Sequence, residues 1–239
     1  MKKILAAGLL LLAALAGAGV YYLVTNLDAL VESAIETHGS AAARTRVKVG
    51  GVRIDLKEGA STIRGLTVAN PEGFEAPLAF SLDELTVEVA TDSLTEDVIV
   101  IDRIVVRDPE VFFELREDGR SNLEEIEQGL GGGGGGGAKA SGEGGGPGPR
   151  LIIRKLLFEG GRIEANLLPL KRQEELKLPR IVMTDLGGKR GATPEGIARQ
   201  ILGTLTRRAS AEVQKKALGR AADSLRREAG KALQGLLGR

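Results

Sequence analysis

From Arg46 to Leu115 the apolar residues recur at every second position, and turns rich in glycine and proline cut the recurrence into short runs. Val47 and Val49 alternate with Arg46 and Lys48. Gly50-Gly51 then intervenes, and Val52, Ile54 and Leu56 continue on the other parity, as a bulge in a strand requires. Lys57-Glu58-Gly59 is a turn. Thr62 to Asn70 is a second run, its parity shifting at Gly65, and Asn70-Pro71-Glu72-Gly73 closes it. Leu85, Val87 and Val89 mark a third strand, Val98 to Arg107 a fourth, and Val111, Phe113 and Leu115 a fifth after Asp108-Pro109. No helical period interrupts these five, so the spacing predicts an antiparallel β-meander. Further on, Leu151 to Glu159 and Arg162 to Leu168 predict a hairpin around Gly160-Gly161, with a last strand from Leu178 to Leu186.

The fourth run is apolar on both faces. Strict alternation puts Val98, Val100, Ile104 and Val106 on one side and Ile99, Ile101 and Val105 on the other, so both faces call for cover. A protein helix is the ordinary cover, and lipid is the sharper alternative. Acyl chains need only a continuous apolar surface, whose burial is worth about 25 cal/mol per Å² whatever covers it. Val98, Val100, Ile104, Val106, Val111, Phe113 and Leu115 are therefore candidates for the lining of an apolar groove, set against a plain protein core.

Helices flank the strands. Lys2 and Lys3 precede an unbroken apolar run, Ile4 to Val24, with Tyr21-Tyr22 near its end. At 1.5 Å per residue the run is roughly 30 Å long, enough to span a bilayer's hydrocarbon core. Residues 1–25 thus read as a transmembrane anchor whose basic side stays cytoplasmic. A cleaved signal peptide is the alternative, with small residues at Ala14-Leu15-Ala16 or Ala16-Gly17-Ala18. Both export the rest of the chain. Asn26 can cap a juxtamembrane helix over residues 26–39 that Gly39 is expected to stop. The β-domain follows over 45–130 and ends in a short acidic helix, Asn122 to Leu130. A glycine-rich linker occupies 131–149, and a second strand group of the same domain occupies 150–188.

The tail from 193 to 239 opens with Thr193-Pro194-Glu195, a helix-start signal, and carries an apolar residue every fourth position from Ile201 to Leu237. Gly203, Gly219 and Gly230 are potential breaks in it. Charge is segregated: residues 26–130 hold 22 acidic against 10 basic side chains, and residues 193–239 hold 10 basic against 4 acidic. A long basic amphipathic helix can lie on anionic lipid or fold back on the acidic domain. Arg207, Arg208, Lys215 and Lys216 are the membrane-surface candidates.

Catalysis finds no foothold. The sequence has no cysteine, which removes disulfides, thiol chemistry and cysteine metal sites. His38 is its one histidine, so a two-histidine metal site cannot form within one chain. The glycine tract lacks the Gly-Lys-Ser/Thr close of a phosphate loop. Aromatics are 3% with no tryptophan, against base stacking on nucleic acid. The expectation is a non-enzyme with no cofactor, no metal and no nucleic-acid partner.

Several phrases in this order resemble the AsmA-like family of bacterial envelope proteins, in particular its small single-domain members. They are Ile63-Arg64-Gly65-Leu66-Thr67-Val68-Ala69-Asn70-Pro71-Glu72-Gly73-Phe74; Ser93-Leu94 ahead of the fourth run and Asp108-Pro109-Glu110; Ser121-Asn122-Leu123; and Met183-Thr184-Asp185-Leu186-Gly187 ahead of Ala192-Thr193-Pro194-Glu195. The likeness covers nearly the whole chain apart from the glycine linker. It implies an inner-membrane anchor, a periplasmic half-barrel groove of β-strands, and a role in envelope lipid homeostasis through binding or transfer of phospholipid. Larger relatives, including TamB-like and chorein-type proteins, stack such units into a groove for acyl chains; a chain of this length cannot span a periplasm alone. The family carries over no catalytic residues. Partners are then the inner membrane, phospholipid, and another envelope protein or a second copy. The alternative is a structural adaptor of an envelope assembly that holds no lipid.

Overall fold

The computed structural model describes residues 25–131 and 150–237. The expected anchor, Ile4 to Val24, and the glycine linker beyond Gly131 lie outside the described residues. Among the described residues no helix is long and apolar enough to cross a membrane.

The protein is mainly β, with helices packed on a sheet that curls into a half-barrel. Its strands are β1 (Val47–Lys48), β2 (Gly51–Asp55), β3 (Ala60–Ala69), β4 (Leu78–Val89), β5 (Val98–Arg107), β6 (Glu110–Leu115), β7 (Arg150–Glu159), β8 (Arg162–Leu167), β9 (Arg172–Lys177) and β10 (Ile181–Leu186). Several run end to end. β5 and β6 both line one side of β4, β7 and β8 continue that pairing, and β10 and β9 close it. The sheet is thus a row of six ribbons: β1–β2, β3, β4, β5–β6, β7–β8 and β9–β10.

Every ribbon changes course at one level. Arg64 pairs with Glu84, Glu84 with Arg107 and Arg107 with Glu159, while on the other side Ser81 pairs with Glu110 and Glu110 with Arg162. Between those rows lie Gly65, Asp83, Asp108-Pro109 and Gly160-Gly161, and Leu178-Pro179-Arg180 separates β9 from β10. The row is a crease across the sheet, and its residue types explain it. Asp108 and Gly160 have left-handed φ of 47° and 72°, and Pro109 supplies no ladder N–H. A Cβ on Gly161 would stand 2.9 Å from the Pro109 carbonyl oxygen, so only glycine lets the two kinked ribbons meet.

The expected hairpin at Gly160-Gly161 is therefore corrected. Glycine pairs mark bends as well as reversals, and here the chain continues forward into β8; the reversal comes after Leu167, at a 3₁₀ turn over Leu168–Leu170. β9, all polar save Leu176, carries too little apolar alternation to be read as a strand. The meander is also incomplete, because β5–β6 and β7–β8 run parallel, joined by a crossover through helix α2 (Asn122–Gly131).

Helix α1 (Leu27–Ala43) runs along the β1–β2 edge. It continues through Gly39 because a Cβ there would crowd Val47 Cγ1 at 3.3 Å, so glycine admits the strand beneath the helix. Arg44, with φ of 54°, ends it. No residue of α1 is buried. Side-chain oxygens hold it instead: Val47 N–H donates to Ser40 Oγ at 2.9 Å, Val49 N–H to Glu36 Oε1 at 3.0 Å and Ile54 N–H to Asp28 Oδ1 at 3.0 Å. Asp28, Glu36 and Ser40 share one helix face at multiples of four, so a sheet edge that would invite another strand is covered.

Helix α3 (Pro194–Leu237) is one helix despite its glycines, with Thr193 Oγ1 accepting the Gly196 N–H at 3.2 Å as its cap. Ile197, Leu205, Ala209 and Val213 enter the core, as do Leu123 and Ile126 of α2. They meet Val106, Val111, Phe113, Ile153, Leu156, Phe158, Ile163 and Ile181 from one face of the sheet. The basic tail folds back over that face through its first half.

The half-barrel has two distinct ends. At the upper end β2 and β4 stop, β3, β5 and β7 start, and α1 and α3 begin, with Ile197 beside Gly187. At the lower end the β3–β4 turn, the ends of β6 and β8 and the start of β9 gather, and Arg220 of α3 pairs with Glu174.

Candidate functional site

Register fixes which side chains share a face. Leu85, Val106, Phe158 and Ile181 form one row, and Val87, Ile104, Leu156 and Met183 the next, all on the face that α2 and α3 cover. The same rows extend across β3 to β2 through Ile63 with Val52 and through Ser61 with Ile54. Toward the upper end the β4–β5 register slips between Glu88 and Val89, leaving Asp102 as an extra residue. Asp185, at φ of 54°, interrupts the alternation of β10 at the same level, between Thr184 and Leu186, with the β7–β10 register unshifted.

That slip corrects the facing of the fourth run. Strict alternation would group Val98 and Val100 with Ile104 and Val106. Past the bulge it is Ile101 that joins Ile104 and Val106 against the core, while Val98 and Val100 fall on the opposite face. Apolar parity alone could not locate the bulge, because Ile99, Val100 and Ile101 are all apolar.

The seven groove candidates are thus divided. Val106, Val111 and Phe113 are buried in the protein core. Ile104 and Leu115 are half-buried and pack against that core. Val98 and Val100 are half-buried outside it; Val98 lies under the turn at Gly191, and the Val100 N–H donates to Ser93 Oγ at 2.9 Å.

Another set of apolar residues lies on the covered face without helix cover of this kind. Val52, Ile54, Ile63, Val87 and Val89 are only half-buried and belong to none of the core packing. They form a strip over β2, β3 and β4 that starts at the edge of the core and runs to the upper end. Their alternation was legible in the sequence; that α3 would pass them by was not.

The other face of the sheet is charged. Arg64 pairs with Glu84 at 3.0 Å, Arg180 with Glu159 at 3.2 Å and Arg103 with Glu88 at 3.9 Å, and Arg154 and Arg162 pair with Asp102 and Glu110. Each exposed pair is worth at most about 1 kcal/mol, so their importance is to make this face polar. Val105, Leu157 and Val182 are one apolar row among them.

The membrane-surface candidates also divide. Arg207, Arg208 and Lys215 are exposed on α3. Lys216, also exposed, sits with Arg220 over Leu167, Arg172, Glu174 and Leu176 of β8 and β9. His38 is exposed on α1. Among the described residues no cluster of acidic or histidine side chains has the arrangement of a metal site.

The lower end is a polar hub. Glu114 is fully buried, and its carboxylate accepts the Glu75 N–H at 2.9 Å and the Ala76 N–H at 3.0 Å. Asn122, also fully buried, accepts the Glu114 N–H at 2.9 Å and donates to the Phe112 carbonyl at 2.6 Å. Ser121 caps α2 by accepting the Glu124 N–H at 3.3 Å. An open cleft of about 430 Å³ beside this hub is walled by Phe112, Phe113 and Ala165 together with Glu75, Glu164, Glu174 and Glu175, a mixed apolar and acidic lining. Two carboxylates are held below their ordinary values by local bonds. The Val49 N–H, then the Lys48 side chain, keep Glu36 below its ordinary value. The Arg120 guanidinium, then its backbone N–H, do the same for Asp118.

No family model, curated protein or solved structure matches this chain.

Proposed function

We propose that this protein is a membrane-anchored, non-catalytic envelope protein of AsmA-like type that binds, or helps to transfer, phospholipid along the half-buried strip of Val52, Ile54, Ile63, Val87 and Val89. The carrying observation is that strip: apolar side chains continue the core face over the upper parts of β2, β3 and β4 beyond the cover of α2 and α3, with α1 at its β2 edge. Burying a methylene there is worth about 0.8 kcal/mol, so a partial acyl chain is enough for binding without any specific contact. The anchor is residues 1–25, with the remainder in the periplasm. α3 closes the other half of the sheet and leaves Arg207, Arg208, Lys215 and Lys216 exposed on its flank.

The second reading, an adaptor that holds no lipid, is favoured by the closure of Val106, Val111 and Phe113 under α2 and α3, since a core filled by its own side chains has no room for a guest. Photo-crosslinking side chains at Ile54, Val87 and Val89, with Val111 as the buried control, separate the two in cells. Phospholipid captured at the first three positions and absent at Val111 is the expected result. Capture at none of them, together with no phospholipid co-purifying without detergent, removes the lipid reading and leaves the adaptor.

A further inference from the structure

We infer that the upper end of the half-barrel seats directly on the bilayer, with Leu56 and Leu94 on neighbouring turn tips as the side chains that enter it. The inference rests on the reading of Ile4 to Val24 as a membrane segment, and it adds which part of the folded domain touches that membrane and in what orientation.

Leu56 is 51% exposed and Leu94 48%, two of the few large apolar side chains so open to solvent. They belong to adjacent turns. Leu56 precedes the β2–β3 turn, and Leu94 lies in the 3₁₀ turn Thr91–Thr95 between β4 and β5. The turns touch: the Val89 N–H donates to the Gly59 carbonyl at 2.8 Å, and a Cβ on Gly59 would stand 2.8 Å from Thr91 Cγ2.

The described chain begins at the same level. The apolar segment ends at Val24, and Thr25 follows it. Asp28 of α1 holds the Ile54 N–H at 3.0 Å, which fixes the helix against the strand. Thr25 is three helical residues beyond that point, about 5 Å. Leu56 is two strand residues beyond it in the same direction, about 7 Å. A segment leaving α1 into a bilayer therefore brings Leu56 to its surface. Leu30, 42% exposed, lies on the same first turns of α1.

Charge at the seat is mixed. Lys57, Lys189 and Arg190 are exposed at this end, but so are Glu58, Asp92, Glu96 and Asp97. The contact is therefore apolar in origin and does not require anionic headgroups. The orientation also separates this end from the basic flank: Arg208 lies fourteen residues into α3, about 20 Å from its start, too far to share one flat surface with Leu56 when the strands stand upright.

The absence of native cysteine lets one introduced thiol carry an environment-sensitive fluorophore. Full-length Leu56→Cys, Leu94→Cys, Arg208→Cys and Glu117→Cys are reconstituted in phosphatidylcholine vesicles containing lipids with quenchers on the acyl chain, and flotation is read alongside quenching. The expected result is flotation of all four, with quenching at Leu56→Cys and Leu94→Cys several-fold above that at Arg208→Cys and at Glu117→Cys of the lower end. Flotation without quenching at either leucine position overturns the seat and leaves the anchor standing. Quenching at Arg208→Cys instead shows a flank-on orientation and also overturns it. Failure to float removes the membrane-segment reading, and the seat with it.

Discussion

Asn122 Nδ2 donates to Asn70 Oδ1 at 2.7 Å, joining the first turn of α2 to the β3–β4 turn across 52 residues of chain. Asn70 in turn donates to the Ala76 carbonyl at 2.8 Å, so one bond ties the inside of the turn to the crossover helix. Both asparagines stand in the phrases that carry the resemblance, Asn70-Pro71-Glu72-Gly73 and Ser121-Asn122-Leu123, and the structure brings those phrases together.

Replacing Asn122 with Ala removes the partners of the buried Glu114 N–H and of the part-buried Phe112 carbonyl. We expect a loss of about 3 kcal/mol, the scale of two unmet polar groups. Asn70→Ala, in a half-buried turn, should cost about 1 kcal/mol. Urea midpoints of the two variants and of the double variant measure it. A double-variant loss equal to the sum of the singles would show that the bond between them contributes nothing.

The crease depends on backbone contact that a methyl group would block. Gly161→Ala places Cβ 2.9 Å from the Pro109 carbonyl oxygen and should destabilise by about 2 kcal/mol, the ordinary cost of overpacking. Gly51, which has nothing within 4 Å of its missing Cβ and no left-handed φ, is the control. Gly51→Ala should stay within about 0.5 kcal/mol of the parent. Equal thermal shifts for the two would show that the crease tolerates a side chain.

α1 is held by carboxylates, so its hold depends on their ionisation. Glu36 titrates below its ordinary value of 4.5 because the ionised form accepts the Val49 N–H and faces Lys48. A depressed folded pKa means the contribution is present above the ordinary value and is lost as pH falls through the folded one. Hydrogen exchange at the Val49 amide, corrected for the intrinsic rate, should therefore stay slow down to about pH 4.5 and accelerate below it. In Glu36→Gln that acid-dependent step should vanish. An unchanged step would place the control in another group.

What the residues revealed in advance follows the range of the forces involved. Alternation is local, so β2, β3, β5 and β6 were visible, and so were the bulge glycines Gly50 and Gly65. The cap at Thr193 and the acidic helix from Asn122 were legible for the same reason. Gly160-Gly161 misled because a kink and a hairpin demand the same backbone freedom, and only the neighbouring Asp108-Pro109 decides between them. β9 was invisible because a strand lying beneath Arg220 and Lys216 can be as polar as Arg172-Gln173-Glu174-Glu175. The apolar strip was half legible: Val52, Ile54, Val87 and Val89 declared themselves as one-sided strands, but which of them α3 would cover depends on the helix's path, a long-range property.

α3 is fastened over its first turns and then runs the length of the sheet, from beside Gly187 past the Arg220–Glu174 pair. Forty-four residues make a spar of about 66 Å. The helix continues past that pair, away from the turns of Leu56 and Leu94, so the position of its last turn is set by counting residues along a single helix. Removing seven residues from its middle would draw the tip in by about 10 Å while turning it by only about 20°, so the spar's reach can be shortened almost independently of the direction its side chains point.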